Sequence, residues 1–243
     1  MLVVGGCGTD EHGAEVRSYE LDSQAVGRSL DQRLVLPEGE GEGRPLLIFL
    51  HGRGGDEESN LREEFYAALA DLGDDAPVVV FPDGGKDSYW HDRTTGSWGR
   101  YVADEVLPRA VRESGADPER VAIGGISMGG FGAYDIARLH PGRFCAVGGH
   151  SPAIWTEAGL TAPGAFDDAE DFAEHDLVAA ARDGSFRPEQ LWLDRGNSDP
   201  FVPGADAMAQ AMGVEVHGYP GGHEREYWDA HWDDYLRFYA SAC

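Results

Sequence analysis

The sequence predicts an α/β fold, a mostly parallel central sheet with helices on both faces. Two observations carry this. Short apolar runs, the mark of strands buried on both sides, alternate with longer segments of helical period. A glycine-rich junction near residues 121–139 then reads as strand, sharp turn and helix, where folds of this kind gather their chemistry.

The elements follow in order. Residues 15–21 and 30–36 read as two strands around a turn at Gly27, an antiparallel edge. Buried strands are expected at 45–50, 77–81, 121–123, 144–147, 191–193 and 214–219. Helical patterns lie at 60–72, 101–113, 128–139, 206–212 and 227–240, and Pro82 and Pro141 end elements. Residues 151–184, rich in Asp, Glu and Ala, fit no single element. An excursion of that length inside a compact domain is usually functional, and a cap beside the active site is expected there. No repeat or low-complexity linker divides the chain, so residues 15–243 are expected to form one domain behind a leading segment, 1–14.

The chain has 243 residues, 42% of them hydrophobic, enough for one sizeable core. Its formal net charge is -25, from 19 basic and 44 acidic side chains. Such a surface repels phosphate backbones, which excludes nucleic acid as the expected partner. Three scattered cysteines, Cys7, Cys145 and Cys243, suggest neither a disulfide framework nor metal spacing. No apolar run approaches bilayer-spanning length. The start, Val3-Val4-Gly5-Gly6-Cys7, has two readings. As the end of a bacterial lipoprotein signal, it predicts a lipidated Cys7, an extracytoplasmic protein and a membrane contact through that lipid. As an ordinary terminus, it predicts a cytoplasmic protein.

Chemistry enters at Gly124-Gly125-Ile126-Ser127-Met128-Gly129-Gly130, which contains G-x-S-x-G. A serine hydroxyl is a poor nucleophile until a base takes its proton. A sharp strand-to-helix turn lifts its oxygen above the sheet, and glycines two residues to either side remove atoms that would collide there. In a chain so rich in glycine the bare pattern is weak, and a glycine turn with a serine cap is the bland alternative. The flanking strand and helix give it weight, as do Gly129, Gly130 and Gly132. Each of these costs the helix about 1 kcal/mol relative to alanine unless close packing requires it.

Acyl transfer also needs donors for a developing oxyanion. One is the amide after the serine, Met128. The other is expected in the glycine-rich loop His51-Gly52-Arg53-Gly54-Gly55, with the Arg53 amide as the candidate. The expected chain order is then serine, acid, base. After the 191–193 strand, Asp194 and Asp199 both qualify as the acid. Asp199 is favoured because it lies further into the loop, whereas Asp194 at the strand end can brace it. His223, flanked by glycines between the last strand and last helix, is the base. His217 falls in a strand pattern and His231 on a helix, while His150 is a candidate pocket residue.

These motifs resemble the putative esterase family of α/β-hydrolases, which includes esterase D, feruloyl and acetyl xylan esterases and the antigen 85 mycolyltransferases. The resemblance rests on the elbow at 124–133, Leu50-His51-Gly52, Ser198-Asp199-Pro200-Phe201, and Gly222-His223 followed by Tyr227-Trp228. Residues 23–28, 34–37 and 90–101 add weaker likeness. It implies an α/β-hydrolase fold and carboxylic-ester hydrolysis through Ser127, Asp199 and His223, with Arg53 and Met128 as oxyanion donors and neither metal nor organic cofactor. The implied substrate is a small-molecule or carbohydrate-linked ester. Acyl transfer to a sugar or alcohol is the alternative, since both outcomes use the same residues. Arg53 departs from relatives that carry an apolar residue there, and its side chain is expected to favour a polar or anionic substrate group. Trp90, His91 and Trp98 are expected to line the substrate pocket, with ordinary aromatic packing as the competing reading.

Overall fold

A computed structural model describes residues 9–186 and 191–243. The leading Cys7 reading lies outside the described residues. Eight strands form one sheet. They are β1 (Glu15–Ser23), β2 (Arg28–Leu36), β3 (Leu46–Leu50), β4 (Val78–Pro82), β7 (Val121–Ile126), β8 (Ala146–His150), β9 (Leu191–Gly196) and β10 (His217–Tyr219), in the order β1-β2-β4-β3-β7-β8-β9-β10. Two short strands, β5 (Asp92–Arg93) and β6 (Gly96–Ser97), pair separately. Within the large sheet β2 alone is antiparallel to both its neighbours, and β4 through β10 pair in parallel. The expected antiparallel edge and parallel centre are both present.

Alternation within the strands builds two cores. Leu46, Ile48 and Leu50 of β3 face one layer with Val78 and Val80 of β4 and Val121 and Ile123 of β7. Leu47, Phe49, Val79, Phe81 and Ala122 face the other. The first layer is covered by the helix running from α2 (Trp98–Arg100) through a π-helical stretch at Tyr101–Val106 into α3 (Leu107–Ser114), and by α4 (Met128–Leu139), α6 (Leu177–Arg182) and α7 (Val202–Met212). The second is covered by α1 (Glu63–Ala70) and the C-terminal α9 (Trp232–Ala242). Burying each large apolar side chain in these layers contributes about 1.5–3 kcal/mol.

Boundaries depart from the pattern-based reading for identifiable reasons. The strand expected at 144–147 is instead Ala146–His150. Gly148 and Gly149 look like turn residues, yet they pave the sheet. A Cβ at Gly124 or Gly148, which pair across β7 and β8, would strike the Tyr239 hydroxyl, and one at Gly149 would strike the Tyr134 ring. The helix expected at 227–240 is two, α8 (Arg225–Asp229) and α9, separated by a turn at Ala230 and His231. Residues 151–184 contain two short helices, α5 (Ala169–Glu174) and α6, each capped by an aspartate side chain, Asp168 and Asp176.

The cysteine reading is corrected. Cys145 and Cys243 form a disulfide with Cα atoms 5.4 Å apart, and the 98-residue separation hid the pairing from the sequence. The bond fastens the end of α9 to the entrance of β8. Cys145→Ser is expected to cost about 2–5 kcal/mol, because a long loop is no longer closed in the unfolded chain. A thermal melt unchanged by dithiothreitol or by the substitution would contradict this.

Candidate active site

Three loops at the carboxyl ends of β7, β9 and β10 bring the predicted side chains together. Ser127 sits between β7 and α4 with φ 53 and ψ -114, a left-handed conformation that costs a non-glycine residue energy and throws its side chain off the sheet. The turn closes because Gly125 and Gly129 face each other. A Cβ on Gly125 would lie 2.6 Å from the Gly129 carbonyl carbon and from the Leu50 oxygen. The Ser127 amide donates to the His150 carbonyl at 3.0 Å, which pins the turn to β8.

The loops after β9 and β10 are stitched to one another. The Asn197 amide donates to the Tyr219 carbonyl and the Ser198 amide to the Gly221 carbonyl, both at 2.8 Å. Gly196 is needed where they touch, since a Cβ there would lie 2.6 Å from the Gly221 oxygen. The stitching carries Asp199 and His223 to one place. Asp199 Oδ2 lies 2.7 Å from His223 Nδ1, and His223 Nε2 lies 2.8 Å from Ser127 Oγ. Burial pushes the Asp199 carboxyl upward, but the hydrogen bond and charge of His223, with the Phe201 amide, hold it below the usual carboxylate range. Asp199 is therefore ionised and can only accept. That fixes the tautomer: Nδ1–H donates to Asp199, and Nε2 is left to accept the Ser127 hydroxyl proton. Edge-on Phe201 and Trp228, each with centroids 5.0 Å from the His223 ring, hold the imidazole upright.

Asp194, the other candidate acid, lies elsewhere. It is fully buried at the end of β9, where His150 Nδ1 donates to its Oδ2 at 2.6 Å and Trp192 Nε1 to the same atom at 2.8 Å. The Tyr227 and Tyr235 hydroxyls donate to Oδ1 at 2.7 and 3.2 Å. Tyr239 OH lies 2.8 Å from His150 Nε2. Tyr239, His150 and Asp194 thus repeat the hydroxyl–imidazole–carboxylate arrangement in a place no substrate reaches. His150 does not line a pocket, because the Phe49 and Tyr235 rings stack against it inside the core.

A cleft of about 510 Å³ opens over Ser127 and His223. Gly52, Arg53, Tyr89, Ala162, Phe201, Arg225 and Trp228 complete its walls. The Arg53 amide and the Met128 amide enter no backbone hydrogen bond among the described residues, which leaves both available to an incoming oxygen. The loop bearing Arg53 is fixed from behind. The Gly84 amide donates to His51 Nε2 at 3.0 Å, and the other His51 ring nitrogen, Nδ1, lies 2.9 Å from the Gly52 carbonyl. Burial holds the His51 pKa down, so this brace is neutral.

The pocket assignments of Trp90, His91 and Trp98 are corrected. All three are buried and none lines the cleft. Tyr89 and Trp90 both have positive φ, 52 and 60, and this consecutive left-handed pair faces Tyr89 to the cleft while Trp90 turns inward. Trp90 Nε1 donates to the His51 carbonyl at 3.2 Å, so it supports the Arg53 loop from below. Trp98 packs edge-on against Tyr101 beneath the Arg28 guanidinium. The 151–184 excursion does border the cleft, through Ala162 and through Pro163, whose carbonyl accepts from Arg53 Nη2 at 3.0 Å. Tyr89, Phe201, Arg225 and Trp228 escaped the sequence reading as cleft residues. Trp228 and Phe201 stood inside the quoted motifs, whereas nothing in the sequence signalled the backbone reversal at Tyr89. The two groups of side chains able to hold a metal, among the described residues, lie outside this cleft.

A family model described as "Putative esterase" matches residues 23–239. Esterase Rv1288 of Mycobacterium tuberculosis is 24% identical over 254 residues, covering 84% of this chain and 55% of that protein. The S-formylglutathione hydrolase of Paracoccus denitrificans is 26% identical over 227 residues, covering 80% of this chain and 79% of that one. A ferulic acid esterase structure superposes with a TM-score of 0.78 at 21% identity, covering 94% of this chain and 98% of the other. The chain spans about half the length of the first curated relatives it matches.

Proposed function

The chain belongs to the putative esterase family and has the α/β-hydrolase fold, and from that premise we propose that it is a serine hydrolase of carboxylic esters. The observation that carries the reading is the unbroken relay from Ser127 Oγ through His223 to Asp199, with spans of 2.8 and 2.7 Å. His223 Nε2 takes the hydroxyl proton as Ser127 attacks the ester carbonyl. The Arg53 and Met128 amides receive the oxyanion, an effect worth about 3–4 kcal/mol per donor. The protonated His223 then gives its proton to the departing alcohol, leaving an acyl-enzyme on Ser127. Water activated by His223 releases the acid. Transfer to a sugar or alcohol would use the same acyl-enzyme with a different acceptor, and product analysis with and without added acceptor separates the two.

A fluorophosphonate probe tests the centre directly. Stoichiometric labelling, mapped to Ser127 by peptide mass, is the expected result. An unlabelled protein, or a label on another serine, overturns the reading.

The cleft also carries a bias in charge. Arg53 and Arg225 line it, bonded to the neutral Pro163 carbonyl and Asn60 side chain, in a chain of net charge -25. Two such guanidiniums favour an ester bearing an anionic or strongly polar group. Arg53→Leu keeps the backbone donor and is expected to lower kcat/KM for a carboxylate-bearing ester about tenfold relative to a neutral ester of the same leaving group. Taking the ratio removes any loss from the broken Pro163 tether. An unchanged ratio would show that the side chain does not read the substrate.

A further inference from the structure

We propose that His91, Asp171 and His175 form a zinc site, separate from the ester cleft, that fastens the 151–184 excursion to the body of the fold. One ligand atom from each residue lies within 4.8 Å of the others. His91 Nε2 is 3.1 Å from Asp171 Oδ2, and His175 Nε2 is 3.7 Å from Asp171 Oδ1. Tetrahedral zinc with bonds of 2.0–2.2 Å sets its donors about 3.3 Å apart, so small side-chain shifts bring these atoms into place.

The surrounding hydrogen bonds point the same way. Asp135 Oδ2 lies 2.8 Å from His175 Nδ1, while Arg138 holds the other Asp135 oxygen at 2.6 Å. An ionised carboxylate can only accept, so Nδ1 carries a proton. The opposite nitrogen, Nε2, faces Asp171 Oδ1 across 3.7 Å, and a metal ion between them would take the place of a ring proton. A carboxylate behind a ligating histidine is the usual support of a metal site, because it orients the ring and raises its basicity. His91 adds a second buried ring, with centroids 4.5 Å apart. Its Nε2 faces Asp171, and its Nδ1 has no hydrogen-bond partner among the described residues, so the ring's one polar contact is with the carboxylate that would share the metal.

Two imidazoles and one carboxylate suit zinc, whereas magnesium and calcium prefer oxygen alone. Three protein ligands leave a fourth position for water. Asp171 and His175 stand on or at the end of α5, a helix of six residues with little stability of its own. His91 belongs to the loop after β4, and Asp135 to α4. A metal here would join three separate segments.

The test uses the full chain, freed of metal by chelator and then dialysed clear of it. Calorimetric titration with zinc should show one site per chain, and the melting temperature should rise by about 5–10 °C at a hundredfold excess over Kd. Cobalt(II) in place of zinc should give the intense visible bands of four-coordinate nitrogen–oxygen ligation. Asp171→Asn and His175→Gln should each weaken zinc binding at least about tenfold. His12→Ala, in the exposed Asp10–His12–Glu63 group, should leave it unchanged. Should the first two variants fail to fold, the wild-type cobalt spectrum decides alone. Absence of stoichiometric zinc, a six-coordinate cobalt spectrum, or loss of binding in His12→Ala overturns the proposal.

Discussion

Ser127→Ala is expected to lower turnover of p-nitrophenyl acetate by at least about 10⁴-fold while leaving the fold intact. The size follows from what the hydroxyl does. In the proposed mechanism its oxygen is the atom that joins the substrate, and that oxygen lies 2.8 Å from His223 Nε2. Alanine keeps the Cβ and the left-handed backbone at φ 53, so the neighbouring Met128 and Arg53 amides stay in place. What activity survives should come from those donors polarising a bound ester for attack by water. Steady-state kinetics alongside a thermal melt checks both halves. A rate within about tenfold of the parent, at unchanged stability, would remove Ser127 from the mechanism.

The second large effect separates two aspartates. Asp199→Asn is expected to reduce kcat by about 10⁴-fold with little loss of stability, because an amide favours the wrong His223 tautomer and cannot stabilise the imidazolium. Asp194→Asn is expected to do the reverse. Its carboxylate accepts from His150, Trp192, Tyr227 and Tyr235 at once, and an amide NH2 turned toward those donors leaves some unpaired in the core. Breaking a buried ionic network in this way costs about 3–5 kcal/mol. Urea titration and kinetics on both variants give the comparison. A stable but inactive Asp194→Asn, paired with an active Asp199→Asn, would exchange their roles.

Why the sequence separated these residues so well, and others so poorly, has a physical basis. Ser127, Asp199 and His223 each sit on a short loop after a strand of the sheet, and local pattern shows such loops. The favoured position of Asp199 came from its place beyond the strand end, and the stitching of its loop to residues 219–222 explains why that place meets His223. The network around Asp194 could not be read in advance. Its members lie as much as 89 residues apart, as Tyr239 does from His150, and only the packing of α9 against glycine-paved strands unites them. At Trp90 the pocket reading missed by one position. Trp90 and Tyr89 exchange faces because two successive non-glycine residues adopt positive φ, which no composition rule anticipates. The fold class was legible because strands buried on both faces are written as continuous apolar runs. Helix ends were less so, as the break at His231 lacks a glycine or proline.

The bond between Cys145 and Cys243 has a consequence for where and how the protein works. The helix it secures supplies Tyr235 and Tyr239 to the buried aspartate and histidine behind the nucleophile turn. Thiol–disulfide balance in the surroundings therefore reaches the packing behind Ser127 through α9. In an oxidising medium the chain keeps its full heat tolerance. In a glutathione-rich one the same chain becomes a softer molecule, whose lifetime is set by ambient redox potential rather than by the side chains of its cleft.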